Sequence, residues 1–170
     1  MKFLFTVIFS ASILLSAAQE NVPATDSFSI RGKVKSEFTF NVRDAGQYTA
    51  HTLDSLVIYN HLHQPKKTVR KLSGILLKDV LDKAGLAETN TKLMSGYYFT
   101  CVASDGYKIV FSWNELYNSP AGSQIWVVTE ANGRAGVAMP DRVLLVAAGD
   151  INTGRRYLKG LKEIRVNAVN

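Results

Sequence analysis

The sequence has 170 residues, 46% of them hydrophobic, and a formal net charge of +6. This length and composition suffice for one hydrophobic core and indicate a single main domain. The positive charge is modest and acidic residues interrupt the basic ones, so no nucleic acid is expected as a partner. Cys101 is the only cysteine, which excludes an intramolecular disulfide.

The amino terminus has the pattern of a secretory signal peptide. Lys2 precedes a largely apolar run over residues 3–15, which is too short for an ordinary transmembrane helix, and small residues follow at 16–18. We predict a signal peptide over residues 1–18 that is cleaved after Ala18. The protein is then exported, periplasmic or secreted, with no stable membrane anchor. Loss of Lys2 lowers the net charge from +6 to +5.

The first part of the mature chain predicts a tether followed by strands. Residues 19–27 are polar, contain Pro23 and lack periodicity, so we expect a flexible tether before a domain over residues 28–170. Apolar and polar residues alternate over 28–34, as in a strand with one face on the core. Phe38 and Phe40 continue the alternation, and residues 41–46 predict a short helix or turn.

A second strand is predicted over residues 52–60, followed by a polar loop at 61–67. Ser73 has the character of a helix N-cap, and Gly85 has that of a helix stop. Between them an apolar stripe at helical spacing predicts a helix. The stripe consists of Leu76, Leu77, Val80, Leu81 and Ala84.

The second half of the sequence predicts further strands. Residues 97–103 and 107–111 flank a Ser-Asp-Gly turn and predict a hairpin, and Ser112 with Glu115 has the spacing of a capping box. Residues 125–129 predict a buried strand. Residues 143–148 have no polar side chain and predict another, followed by a basic loop and a last strand that ends near Val166.

Several of these segments resemble one enzyme family when they are taken in order. Pro140-Asp141-Arg142-Val143, Leu158-Lys159-Gly160-Leu161 and Ile164-Arg165-Val166 resemble the closing motifs of the molybdopterin-binding domain of sulfite-oxidase-type oxidoreductases. The helix that starts near Gly74 and ends at Gly85 is similar to the family's amphipathic helix. Gly160 stands where the family has a tryptophan. The resemblance covers about residues 28–166.

The resemblance implies a mixed α+β fold of twisted β-sheets with a few short helices. It also implies a cleft that accepts molybdopterin or a related pterin. Catalytic members supply a cysteine thiolate to molybdenum from a Cys-x-Gly-Asn segment. When Asn60 is aligned with that asparagine, Val57 takes the cysteine position, and no residue from 52 to 85 is cysteine. Valine offers no metal donor, so molybdenum is not expected.

The sequence gives no indication that Cys101 replaces the missing thiolate ligand of molybdenum. It alternates with Phe99 and Ala103 in a strand pattern, which predicts a small buried hydrophobic residue. No basic cluster lies beside it in the sequence to lower the pKa of its thiol.

Candidate ligand-binding residues lie in two segments. Convergent arginine and lysine side chains suit a phosphate, and the loop at 61–67 stands where the family's metal ligand would be. His61 and His63 form an i, i+2 pair that suits a metal if the strand persists, although histidines in loops are mostly unliganded. We expect both segments to line one positively charged hollow. The candidates are Asn60, His61, His63, Arg142, Arg155, Arg156 and Lys159.

We therefore predict an exported protein that binds an anionic small molecule similar to pterin or molybdopterin, without conventional molybdenum catalysis. One alternative is a periplasmic molybdopterin-dependent oxidoreductase that passes electrons to a periplasmic redox partner. Another is an interaction module that retains the fold without a ligand. Fold-level analogy does not choose among them.

Overall fold

The computed structural model describes residues 22–169, which form two β-sheets and three short α-helices. The strands are β1 (Ser27–Gly32), β2 (Phe38–Asn41), β3 (His51–Tyr59), β4 (Pro65–Leu76), β5 (Tyr97–Ala103), β6 (Lys108–Ser112), β7 (Ile125–Ala131), β8 (Arg134–Ala135), β9 (Leu144–Ala147), β10 (Leu158–Lys159) and β11 (Leu161–Ala168). The helices are α1 (Leu77–Ala84), α2 (Thr91–Met94) and α3 (Trp113–Tyr117). Short 3-10 helices occupy Val42–Gln47, Pro120–Gln124, Gly136–Ala138 and Thr153–Arg156.

The two sheets combine neighbours and distant segments of the chain. The first sheet has the order β2-β1-β11-β5-β6, and the second has the order β10-β9-β7-β4-β3 with β8 paired to β7. β1 pairs with β11 in parallel, and the other strand pairs between the described residues are antiparallel. The last strand therefore lies in the middle of the first sheet, next to the first strand.

Both faces of the second sheet are buried around β7 and β9, which explains the uninterrupted apolar sequence of β9. Val127 and Leu145 belong to the main core, which also contains inward residues of the first sheet and of α1. Their neighbours Trp126, Leu144 and Val146 point to the other face and form a smaller core with residues of β3 and β4. A strand that is buried on both faces does not alternate apolar and polar residues. Residues 143–148 accordingly contain no polar side chain.

The amphipathic helix is present, but it begins later than we predicted. β4 continues through Leu76, and Ser73 pairs with Glu130 in the sheet instead of capping a helix. α1 starts at Leu77 without a side-chain cap, and Gly85 ends it with φ 62°. The predicted N-cap is wrong because Gly74 and its neighbours pair with β7, and this tertiary pairing overrides the local helix signal.

Other local predictions are confirmed. Residues 42–47 form the expected short helix, and the hairpin of β5 and β6 has its turn at 104–106. Ser112 and Glu115 form a capping box at the start of α3. The Ser112 N–H donates to the Glu115 carboxylate, and the Glu115 N–H donates to the Ser112 hydroxyl oxygen. The predicted loop at 61–67 is shorter in the structure, because β4 already begins at Pro65.

Residues 22–26, which belong to the expected tether, make specific hydrogen bonds to β11 and to the residue before β9. The Thr25 hydroxyl donates to the carbonyl of Leu161 (2.7 Å), and the Val143 N–H donates to the carbonyl of Thr25 (3.2 Å). The predicted signal peptide, residues 1–18, lies outside the described residues. Between residues 22 and 169, no helix has the length and apolar character needed to cross a bilayer.

Candidate functional site

A cleft forms where the turn between β3 and β4 meets the loop between β9 and β10. Thr153, 5% exposed, joins the two segments: its hydroxyl donates to the carbonyl of Val57 (2.8 Å) and accepts from the N–H of Tyr59 (2.9 Å). Gly154 lies so close to the hairpin that a Cβ atom there would be 2.6 Å from the Tyr59 carbonyl oxygen. The loop therefore holds the end of β3 at a fixed position.

The hairpin turn has its own internal bonds. The Asn60 side-chain oxygen accepts from the N–H groups of Leu62 (3.0 Å) and Gln64 (2.9 Å). His63 has φ 54°, and its ring stacks on Tyr59 with a centroid distance of 4.6 Å and an interplanar angle of 11°. Its Nδ1 lies 3.1 Å from Oδ1 of Asn152 in the facing loop. The strand geometry on which a His61–His63 metal pair depends ends at Tyr59.

The two segments line an open cavity of about 290 Å³. Three of the candidate residues, Asn60, His61 and Arg155, line it together. Within residues 22–169, the side chains of Lys66 and Arg155 form no ion pair, so both cations are available at the cavity. The remaining lining residues are Ile58, Tyr59 and Gly154.

The expectation that all the candidates line one hollow is wrong. His63 packs on Tyr59 at the turn, and three cations are neutralised by carboxylates elsewhere. Arg142 Nη1 lies 2.6 Å from Asp26 Oδ1, and Lys159 Nζ lies 2.9 Å from Asp141 Oδ1. Arg156 pairs with two acids beside a different cavity, which Pro120, Gln124 and Asp150 also line. The sequence analysis selected these cations by their positions in the chain and did not identify the acids that pair with them.

Arg156 has the arrangement of a structural clamp. Its Nε and Nη2 donate to the two carboxylate oxygens of Asp150 (2.8 and 2.6 Å), and Nη1 donates to Glu115 (2.9 Å). Its guanidinium carbon lies 4.5 Å from the centre of the Phe111 ring. Burial acts to raise the pKa of Glu115, but hydrogen bonds from the Ser112 N–H and from Arg156 outweigh it and leave this pKa below its ordinary value. The loop before β10 is thus attached to α3.

Gly160 is packed against the amino-terminal segment. It has φ 58°, and a Cβ atom there would lie 2.5 Å from the Pro23 carbonyl oxygen and 2.6 Å from Ser104 Oγ. Residues 22–23 therefore occupy the space next to the position where the sulfite-oxidase-type family has a tryptophan. Asp26, in the same segment, holds Arg142.

No thiolate is available at the cleft from the described residues. Val57 lies in β3, and Cys101 is fully buried in β5 of the other sheet. Its complete burial confirms the prediction of a small buried hydrophobic residue, and the same burial raises the pKa of its thiol to about 12. No group of three or more His, Cys, Asp or Glu residues between 22 and 169 is arranged to hold a metal ion. These residues do not fit a thiolate-bound molybdenum.

The structure adds residues that the sequence analysis did not select. Lys66 and Gly154 line the cleft, and Thr153 fixes its geometry. The charge at the end of the 61–67 segment was a signal for Lys66. The role of Thr153 had no local signal, because its partners lie 94 and 96 positions away.

Comparison with known proteins supports the fold. No protein-family model and no curated protein matches the sequence. Among solved structures, the sulfane dehydrogenase SoxCD from Paracoccus pantotrophus matches with a TM-score of 0.64 and 14% identity, over 88% of this chain and 41% of that chain. This chain therefore spans less than half the length of that protein. At this identity the match shows the fold alone, and it confirms the predicted mixed α+β fold of the molybdopterin oxidoreductase type.

Proposed function

We propose that this protein binds a small anionic molecule of the pterin type in the cleft between the β3–β4 turn and the β9–β10 loop. One observation carries the proposal: the turn with Asn60 and His61 and the distant loop with Arg155 line one cavity, and its two cations, those of Lys66 and Arg155, form no ion pair within residues 22–169. The likeness to a molybdopterin oxidoreductase-type fold supports the pterin class.

The cleft supplies the groups that such a ligand needs. Arg155 and Lys66 provide donors for a phosphate or carboxylate, and a guanidinium binds such groups with two parallel hydrogen bonds. His61 offers a further ring nitrogen. The Asn60 side chain is already bonded within the turn, so it shapes the cleft more than it binds. A cavity of about 290 Å³ is close to the lower end of the range of about 300–1,000 Å³ for small-molecule sites.

The proposed role is binding without conventional molybdenum catalysis. A pterin ring and a phosphate need hydrogen-bonding partners and cationic groups, and the cleft offers the side chains of His61, Lys66 and Arg155. A soft thiolate donor for molybdenum would have to come from cysteine, and the buried Cys101 belongs to the first sheet. We also propose that the protein is exported, and a periplasmic redox partner remains part of the alternative enzymatic function.

Titration with pterin-6-carboxylate, followed by the fluorescence anisotropy of the pterin, tests the proposal. We expect saturable one-to-one binding that weakens about tenfold or more in Arg155→Gln and Lys66→Gln, because each loses a charge-assisted hydrogen bond of about 1.5 kcal/mol or more. Lys92→Gln, at an exposed position in α2, is the matched control and should bind like wild type. Binding that is absent, or equal in all four proteins, contradicts the proposal.

Metal analysis of the natively purified protein separates this role from the enzymatic alternative. The proposed role predicts no stoichiometric molybdenum. Stoichiometric molybdenum together with redox activity would favour the periplasmic oxidoreductase.

A further inference from the structure

A second cavity, separate from the cleft, lies beside the smaller core of the second sheet. It has a volume of about 230 Å³ and lies between β4, the β7–β8 turn, the segment that leads into β9, and Tyr157 just before β10. Buried Met139 and Leu144 form its apolar wall. Its other lining residues are Lys67, Ala131, Asn132, Arg134, Pro140, Asp141 and Tyr157.

The charges around this cavity are unbalanced. Lys67 and Arg134 line it, and neither forms an ion pair with any residue from 22 to 169. Lys159 reaches the same place through its ion pair with Asp141 (2.9 Å). Three cationic groups therefore face one carboxylate, which leaves two positive charges for a ligand to neutralise.

The position of Lys67 is fixed by an aromatic neighbour. Its Nζ lies 4.3 Å from the centre of the Tyr157 ring and donates to the Tyr157 hydroxyl oxygen (3.3 Å). Burial and the nearby Lys159 lower the pKa of Lys67, while Asp141 acts in the opposite direction. Burial and Asp141 raise the pKa of Tyr157, so its hydroxyl keeps a proton. The Tyr157 hydroxyl oxygen accepts a hydrogen bond from Lys67, so the hydroxyl proton can be donated to a ligand.

We propose that this second cavity binds a small dianion, with a phosphate group as the preferred chemistry. The ammonium of Lys67, the guanidinium of Arg134 and the hydroxyl of Tyr157 are its donors, and a compact tetrahedral anion suits such a convergent set. The apolar wall of Met139 and Leu144 accommodates the organic part of a phosphate monoester. This site does not depend on the proposed cleft function.

The arrangement favours a dianion over a neutral ligand for an electrostatic reason. A cation that is partly desolvated next to another cation is destabilised, and a bound anion relieves both effects. The pKa of Lys67 should therefore rise when the anion binds. Removal of the Asp141 charge should strengthen binding, because it removes the competing carboxylate and releases Lys159.

NMR titration of the protein with inorganic phosphate and, separately, with phenyl phosphate tests this site. The signals of the Lys67 side chain report both binding and the pKa of its ammonium group. We expect saturable shifts, a higher Lys67 pKa in the bound state, and affinity reduced about tenfold in Lys67→Gln and in Arg134→Gln. Asp141→Asn should bind more tightly. Lys162→Gln, on an exposed position of β11, is the matched control.

The two probes distinguish the two possible sources of the phosphate group. Tighter binding of phenyl phosphate assigns the site to a phosphorylated small molecule, and equal binding assigns it to free phosphate. No saturable shift with either probe overturns the proposal, as does affinity that is unchanged in both Lys67→Gln and Arg134→Gln. Binding of pterin-6-carboxylate in the cleft should be unaffected by Lys67→Gln, so failure at one site is distinct from failure at the other.

Discussion

Replacement of Arg156 by methionine should destabilise the whole domain, because this arginine connects two distant segments. The substitution retains an apolar stem of similar length but leaves the carboxylates of Asp150 and Glu115 without their shared cation. The side chains of Arg156 and Asp150 are only 22% and 20% exposed, so water replaces the lost bonds poorly. The loss of this ion pair should therefore destabilise the protein more than the loss of an ordinary surface ion pair, which contributes little to stability.

The expected magnitude follows from the burial of the pair. Loss of one partner from a fully buried ion pair costs about 3–5 kcal/mol. The partial exposure here, together with the 38% exposure of Glu115, reduces our expectation to about 2–3 kcal/mol. In a domain of this size 1 kcal/mol changes the melting temperature by about 2–4 °C, which predicts a decrease of about 4–12 °C.

Thermal unfolding followed by circular dichroism measures this effect. Arg165→Met is the matched control, since Arg165 also pairs with an acid, Glu163, but is 53% exposed. We expect its melting temperature to stay close to that of wild type. Equal melting temperatures for Arg156→Met and Arg165→Met would refute the structural role of Arg156.

Three further predictions concern pH, packing and export. The pKa of Glu115 is lowered from 4.5 in the folded protein, so its stabilising contribution is present above that pH and is lost as the pH falls below it. The free energy of unfolding, measured by chemical denaturation, should therefore decline more steeply below about pH 4.5 in wild type than in Glu115→Gln. Gly154→Ala should cost about 1–3 kcal/mol, because its Cβ atom would lie 2.6 Å from the Tyr59 carbonyl oxygen, whereas Gly46→Ala, with nothing within 4 Å, should not show this packing penalty. The mass of the exported protein should correspond to a chain that begins at Gln19, and an intact residue 1–18 segment would contradict the predicted cleavage.

Strand alternation and helix stops predicted most of the fold because they depend on neighbouring residues. The capping box at Ser112 requires only residues three apart, and it is present. Ser73 shows the limit of the same approach. Its hydroxyl and the following apolar residues match a helix start, but pairing with β7 keeps residues 73–76 in a strand and delays the helix to Leu77. A sequence window around Ser73 contains no information about β7.

The candidate site was predicted only in part, since ion pairs between distant segments are not visible in the sequence. Asp26 lies 116 positions from Arg142, in a segment that we expected to be a tether. Glu115 lies 41 positions from Arg156. Ion pairs with these acids neutralise Arg142 and Arg156, whereas Arg155 forms no ion pair within residues 22–169. The fold resemblance selected a loop that lines the cleft, but only the packing of that loop on β3 determines which of its charges face the cleft.

The location of pterin binding tests the central claim most directly. Amide chemical shifts of the isotope-labelled protein can be mapped during titration with pterin-6-carboxylate. We predict saturable shifts concentrated at residues 58–66 and 153–156, the two segments that form the cleft, and saturation at about tenfold or more higher ligand concentration in Arg155→Gln. No saturable shifts, or shifts concentrated on the opposite sheet around Cys101, would contradict the proposed site.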